Sequence, residues 1–273
     1  MTPNRIAVVT GANKGIGYFI ALQLGLSGLF SNIVLGCRDV QRGTTAANQI
    51  QALVQGKSDT KIEFSPLVIG DLATHSTFCE KMEAEFGKVD VVVNNAGFAY
   101  KGSDPTPFEG QTENTLNINY FGLVDFTEQM LPLVRKGSNP RIVNVASMAG
   151  RLRQVSPELQ KKFTDDSLTI EELGTLMNQF KSDVQAGTYK ANGWSNSNYG
   201  MSKLGVIAAT KIWARREPII KINACCPGYC ATDMSSQKGP RSADDGAKNA
   251  AIPATMKSPP TGEFFRDYKI ATW

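Results

Sequence analysis

Histidine is nearly missing: His75 is the only one in 273 residues. Metal chemistry would fall to the five cysteines, Cys37, Cys79, Cys225, Cys226 and Cys230, and these show no ligand spacing, so no metal site is expected. Their odd number also argues against a disulfide framework, and a reducing, cytoplasmic setting is the expectation. No apolar stretch reaches the roughly 18 residues that a membrane span needs. The opening Met1-Thr2-Pro3-Asn4-Arg5 runs directly into a β-branched segment, too early for the apolar core of a signal peptide. Charge of one sign is scarce as well. A formal net charge of +4 with no basic run excludes nucleic acid and membrane surfaces as expected partners, and leaves room for a phosphorylated small molecule.

What is present is a globular composition, 41% hydrophobic and 20% charged, enough for one α/β domain over residues 1–273. Short β-branched runs alternate with longer amphipathic stretches. The runs are Ile6–Thr10, Asn32–Cys37, Lys61–Ile69, Val89–Val93, Arg141–Ala146 and Lys221–Cys226. Helical spacing fills Ile16–Leu29, Val40–Val54, Thr74–Phe86, Thr112–Val134 and Asn198–Arg215 between them. Continuous apolar runs separated by helices imply strands buried on both faces, hence a Rossmann-type, doubly wound parallel sheet. Residues 151–196 interrupt the alternation with two helical patterns, Pro157–Phe163 and Ile170–Ala186, and no strand. This stretch reads as a helical insertion, too short and too polar to bury a core of its own.

Directly after the first strand comes Thr10-Gly11-Ala12-Asn13-Lys14-Gly15-Ile16-Gly17, which opens the first helix. Glycines there permit a tight turn and a close approach to a pyrophosphate, and the helix N-terminus supplies free N–H groups. The spacing is G-x-x-x-G-x-G, so its position between strand and helix carries the cofactor reading more than the glycines do. The second strand ends on Gly36-Cys37-Arg38. A ribose-binding acid is expected near there for NAD, whereas Arg38, with Lys14 and Arg42 close by, suits the 2′-phosphate of NADP(H). Arg38 could instead be a solvated charge, with Asp39 serving the ribose.

Tyr199 and Lys203 stand four apart on a helical pattern and so share a face. Such a pair arises by chance in chains of this length, and its context makes it diagnostic. Taken together, the motifs resemble the short-chain dehydrogenase/reductase family, and within it the monomeric carbonyl reductases. The glycine motif matches Thr10–Gly17, and the fourth-strand signature matches Asn94-Asn95-Ala96-Gly97. The catalytic tetrad matches Asn119, Ser147, Tyr199 and Lys203. Asp104-Pro105-Thr106-Pro107-Phe108, Asn223-Ala224-Cys225-Cys226-Pro227-Gly228 and the long insertion before the tyrosine extend the likeness from about Arg5 to Trp273. One position departs: the adenine-contacting acid at the end of the third strand falls on Val68, with Asp71 expected to cap the next helix.

The resemblance implies NADPH-dependent reduction of ketones, aldehydes or quinones. A dehydrogenase specific for one steroid or secondary-metabolite alcohol is the alternative, and an idle NADP(H)-binding sensor a further one. It implies cofactor contacts from Gly11, Asn13, Lys14, Gly15, Ile16, Gly17, Asn95, Ala96, Gly97, Pro227, Gly228 and Thr232. Lys203 would also grip the nicotinamide ribose. It places Tyr100, Gln111 and Tyr229 around the substrate, and Asn119 on a water that connects Lys203 to solvent. In chemical terms, a cation beside Tyr199 would lower its pKa by about 1–3 units and make it a competent acid at neutral pH. Ser147 would donate to the carbonyl oxygen as charge develops there, or merely close a turn. Cys226 is expected to be a buried structural thiol. The insertion is expected either to be a solvated extension or to cover the helix faces that pair subunits in tetrameric relatives, which predicts a monomer.

Overall fold

Eight strands form a continuous sheet in the order β3-β2-β1-β4-β5-β6-β7-β8. They are β1 (Ile6–Thr10), β2 (Asn32–Cys37), β3 (Lys61–Pro66), β4 (Val91–Asn94), β5 (Arg141–Val145), β6 (Lys221–Cys226), β7 (Phe264–Arg266) and β8 (Lys269–Ala271). All neighbours pair in parallel except β7 and β8. The computed structural model describes residues 4–273, so Met1–Pro3 of the opening stretch lie outside the described residues. None of the helices described is long and apolar enough to cross a membrane.

The runs are apolar throughout because alternate residues feed two cores. Val8, Val34, Val92, Ile142 and Ile222 face one side, and Ala7, Val9, Ile33, Leu35, Val91, Val93 and Val143 face the other. The second side is covered by α1 (Gly15–Leu26), α2 (Val40–Val54) and α9 (Ala243–Thr255). The first is covered by α3 (Leu72–Phe86), α4 (Phe108–Leu116), α5 (Leu123–Arg135) and α8 (Asn198–Arg216). The insertion forms α6 (Pro157–Phe163) and α7 (Ile170–Gln185). Leu173, Met177, Phe180 and Val184 of α7 join the same core as α8, so the insertion is packed against the fold and does not extend into solvent.

Element ends shift for local reasons. The third strand stops at Pro66, after which the Val68 amide turns to the Thr74 hydroxyl at 3.1 Å. Asp71 caps α3 as expected, accepting from the Ala73 amide at 3.1 Å. The fourth strand starts two residues late because the buried Asp90 carboxylate takes the Ile6 amide at 2.7 Å. The helical stretch read as Thr112–Val134 runs from Phe108 to Arg135, and a π-helical turn at Asn117–Gly122 divides it into α4 and α5. The last helix and the last two strands had no counterpart in the sequence reading; two three-residue strands show too little periodicity to stand out.

Candidate active site

The C-terminal edges of β1, β4, β5 and β6 bring the expected residues to one side of the sheet. At the end of β1 the Thr10 hydroxyl accepts from the amides of Asn95 and Ala96 at 3.0 and 2.9 Å. Asn95 returns its side-chain amide to the carbonyls of Thr10 and Gly11 at 2.9 and 3.2 Å. The glycine turn and the segment after β4 are thus tied together, and Asn95 acts through the backbone it holds. Gly15 adopts φ +57, and a Cβ on Gly17 would lie 2.4 Å from the Asn95 amide nitrogen and 2.5 Å from the Gly11 carbonyl. Side chains are excluded at both places, which leaves bare backbone at the mouth of α1. That mouth has no side-chain cap and no acidic residue in its first turn, so its N–H groups are free for an anion.

Charge selects the kind of dinucleotide that would fit. Asp39 is committed to the fold: its carboxylate caps α2 by accepting from the Arg42 amide at 2.9 Å and contacts the Arg42 side chain at 3.4 Å. Arg38 is exposed and makes no hydrogen bond or ion pair among the described residues. Arg38, not Asp39, is therefore free to meet a ligand, and a guanidinium matches a phosphate and not a ribose hydroxyl. Lys14 is engaged elsewhere: its ammonium pairs with Asp233 at 2.6 Å, across from the glycine turn. Thr232 beside that acid lies against Gly15, whose Cβ would stand 3.5 Å from it. The uncapped α1 mouth, the side-chain-free glycine cradle and the free Arg38 fit a phosphorylated dinucleotide.

Tyr199 and Lys203 project from the first turns of α8, which is capped by the Ser197 hydroxyl accepting from Gly200 at 2.9 Å. Lys203 is 3% exposed, and its ammonium lies 5.8 Å from the centre of the Tyr199 ring. It donates to the Val145 carbonyl at the end of β5, at 2.8 Å. Burial lowers its pKa to about 8. The Tyr199 phenol moves the opposite way from the sequence expectation. Burial pushes its pKa up to about 12, Cys226 nearby adds to this, and a hydrogen bond from Ser147 opposes it. The ammonium, turned toward Val145, does not offset that burial, so the phenol is held protonated.

Ser147 closes the turn after β5, the structural role foreseen for it: its oxygen accepts from the Ala149 amide at 3.1 Å, and its hydroxyl is also hydrogen-bonded to the Tyr199 phenol. Asn119 is fully buried within the π-helical turn. Its side chain accepts from the Phe98 amide at 2.7 Å and donates to the Phe98 carbonyl at 2.8 Å and the Ser202 hydroxyl at 3.1 Å. The side chain therefore pins the segment after β4 to α8. A Cβ on Gly97 would lie 3.5 Å from both the Asn119 carbonyl oxygen and the Lys203 ammonium, so these two groups converge on Gly97.

The substrate candidates divide. Tyr100 packs edge-on to Phe98 at 4.8 Å, and its hydroxyl accepts from Asn114 at 3.2 Å. Gln111, on α4, is occupied by the loop before it, donating to the Thr106 carbonyl at 2.7 Å. Tyr229 is 57% exposed and unbonded on the loop after β6. That loop is anchored beside Ser147, because the buried Cys226 sulfur accepts from the Met148 and Gly228 amides at 3.3 and 3.4 Å. Cys226 is thus structural in this arrangement. Gly228, at φ +85, and Pro227, whose carbonyl accepts from Arg241 at 3.1 Å, shape the same loop. Ser202 and Asp233 were not singled out in the sequence, because each works through a partner distant in the chain.

Comparison with known proteins identifies the family. The short chain dehydrogenase family model matches residues 5–157. Carbonyl reductase (NADPH) 1 of Sus scrofa is 40% identical over 280 residues, spanning 98% of this chain and 94% of the relative. The Homo sapiens protein of that name is 40% identical over 281 residues, spanning 98% of both. Among solved structures, salutaridine reductase from Papaver somniferum matches with a TM-score of 0.86 and 31% identity, over 97% of this chain and all of that one. With a family model over more than half its length and relatives at this identity over nearly all of it, the chain belongs to the short-chain dehydrogenase family.

Proposed function

We propose that this protein reduces ketones, aldehydes or quinones to alcohols with NADPH, with Tyr199 as the proton donor. The observation that carries the reading is the convergence of a protonated phenol, a buried ammonium 5.8 Å from its ring and a serine hydroxyl hydrogen-bonded to that phenol. Relatives named as NADPH carbonyl reductases at 40% identity favour reduction over oxidation of one specific alcohol. A constellation this complete argues against an idle cofactor sensor.

NADP(H) would lie across the glycine turn, with its phosphates at the α1 mouth and Arg38, and when bound it supplies a hydride. Ser147 donates a hydrogen bond to the substrate oxygen, and the developing negative charge strengthens it. Tyr199 delivers its proton to the same oxygen. Lys203 stabilises the phenolate left behind, which costs far more to form in a buried site than in water. Tyr229 and Tyr100 border the substrate entrance. The cytoplasm suits a chain with buried free thiols. A single catalytic unit with the 151–196 insertion folded onto it is proposed to act as a monomer.

The test is NADPH oxidation followed by absorbance with menadione or isatin. Wild-type protein is expected to turn over both. Tyr199→Phe should keep NADPH affinity and lose at least about 100-fold in kcat. Unchanged kcat in that variant would overturn the mechanism.

A further inference from the structure

We infer that Gln154 is a positioning residue for the reduction: its side-chain amide fixes the spacing between the two hydroxyls that meet the carbonyl oxygen. The inference rests on the reductase reading above and deepens it, because it concerns how Ser147 and Tyr199 are held to one another.

Those two residues come from separate elements. Ser147 follows β5 and opens the tight helical turn Met148–Gly150, whereas Tyr199 stands in the first turn of α8. Both hydroxyls must reach one oxygen, and a misplacement of about 1 Å in such an arrangement can cost about 100-fold in rate. Rapid turnover therefore requires a tie between the turn and the helix close to the reacting groups.

Gln154 makes that tie. Its amide nitrogen donates to the Ala149 carbonyl at 2.8 Å and the Arg151 carbonyl at 3.1 Å, both just past Ser147. The same nitrogen reaches the carbonyl of Gly200, the residue after Tyr199, at 3.3 Å. A Cβ on Gly200 would lie 2.4 Å from the Gln154 Oε1, so the amide is seated directly on the α8 backbone. That seat leaves no space for a side chain at position 200.

The rest of the turn is pinned from other directions. Gly150 packs on the Lys203 main chain, where a Cβ would meet the carbonyl carbon at 2.5 Å, and its own carbonyl accepts from the Trp273 indole at 2.9 Å. The Trp273 ring meets α8 at Lys211, well past Lys203. The Met148 amide donates to the Cys226 sulfur, on the side of β6. Among the described residues, no side chain other than Gln154 hydrogen-bonds both the backbone after Ser147 and the first turn of α8. Gln154 is itself half-buried and polar, and it lies outside both apolar cores and away from the glycine cradle. Losing its donors should therefore register in the rate and not in cofactor affinity.

The experiment compares wild-type protein, Gln154→Met and Gln154→Lys with menadione and NADPH. Methionine keeps the length and removes the donors, whereas the lysine ammonium has three hydrogens to offer the three carbonyls. In Gln154→Met kcat should fall by about tenfold or more, with the NADPH dissociation constant within about twofold of wild type. Gln154→Lys should recover kcat to within about threefold of wild type. Unchanged kcat in Gln154→Met overturns the inference. An equal loss in both variants traces the effect to packing and overturns it too, as does a loss matched by weaker NADPH binding. If wild-type protein reduces no carbonyl at all, the reductase reading fails instead. Hydrogen exchange then decides the tie alone, at the Gly150 and Met201 amides, which bond the Ser147 and Ser197 carbonyls. Faster exchange there in Gln154→Met, reversed in Gln154→Lys, supports it, and unchanged exchange refutes it.

Discussion

Lys203 is a cation that the fold desolvates. With 3% exposure and one hydrogen bond, to the Val145 carbonyl, its pKa is lowered to about 8 from the ordinary 10.5. Between those two values the unfolded chain holds a proton that the folded chain has released. This group therefore makes stability rise with pH from about 8 to 10.5, and it costs stability below that window. Lys203→Met keeps the length and drops the charge, so at pH 7 the melting temperature should hold or rise while turnover disappears. A clear fall in melting temperature would contradict this account of its burial. Rate follows the same titration. The ammonium that steadies the Tyr199 phenolate is lost as pH passes about 8, so kcat for reduction should decline along that limb, read from a pH–rate profile. Arg38 is a second residue with nothing else to do. Arg38→Asp should raise the KM for NADPH by about tenfold or more and lower that for NADH, because a carboxylate repels the 2′-phosphate and accepts from a 2′-hydroxyl. Equal KM values for the two cofactors in wild-type protein would sink the assignment.

At the scale of elements, the π-helical turn between α4 and α5 holds Asn119 where its amide can bond both backbone groups of Phe98 and the Ser202 hydroxyl. A π-turn inserts one extra residue into a helix and re-aims the side chains around it, a device common at functional sites. Asn119→Leu would leave the half-buried Phe98 amide and carbonyl without their partner, at a cost of about 1–3 kcal/mol measured by denaturant unfolding. The same variant should weaken catalysis, since the Phe98 segment and α8 lose their bond to each other. Hydrophobic periodicity locates this helix but not the turn within it. A π-turn leaves the apolar pattern nearly intact and is set by what α8 packs against.

For the whole molecule, the insertion decides which surfaces remain open. α7 buries Leu173, Met177, Phe180 and Val184 on the side where α8 would otherwise show a helix face, and Lys181 pairs with Glu113 of α4 across the seam. A face covered from within the chain is not available to a second copy. Size-exclusion chromatography with light scattering should therefore return the mass of one 273-residue chain. A tetramer would mean that another surface does the pairing. Covering of helix faces by residues 151–196 was one of two expectations, and it came from the family resemblance; the stretch read as polar, and the four apolar α7 positions that reach the core are evident only once α7 is packed.

By itself the sequence determined the parts whose physics is local. Strands β1, β2 and β6 and helix α2 stand where the apolar runs and helical spacing put them, because burial on both faces leaves a pattern readable within six residues. The glycine turn, Arg38 and the Tyr199–Lys203 pair are likewise legible, since their chemistry requires particular residue types at short spacing. Only the tertiary structure decided what depends on distant partners. It spends Asp39 on a helix cap and Asn119 on the Phe98 backbone, and it turns Lys14 to Asp233. It raises the Tyr199 pKa where the spacing of Lys203 alone predicted a fall, because desolvation depends on everything packed around the phenol and the ammonium is directed at Val145. It also sets the Gln154 amide between the turn after Ser147 and the Gly200 carbonyl, 46 residues further along the chain.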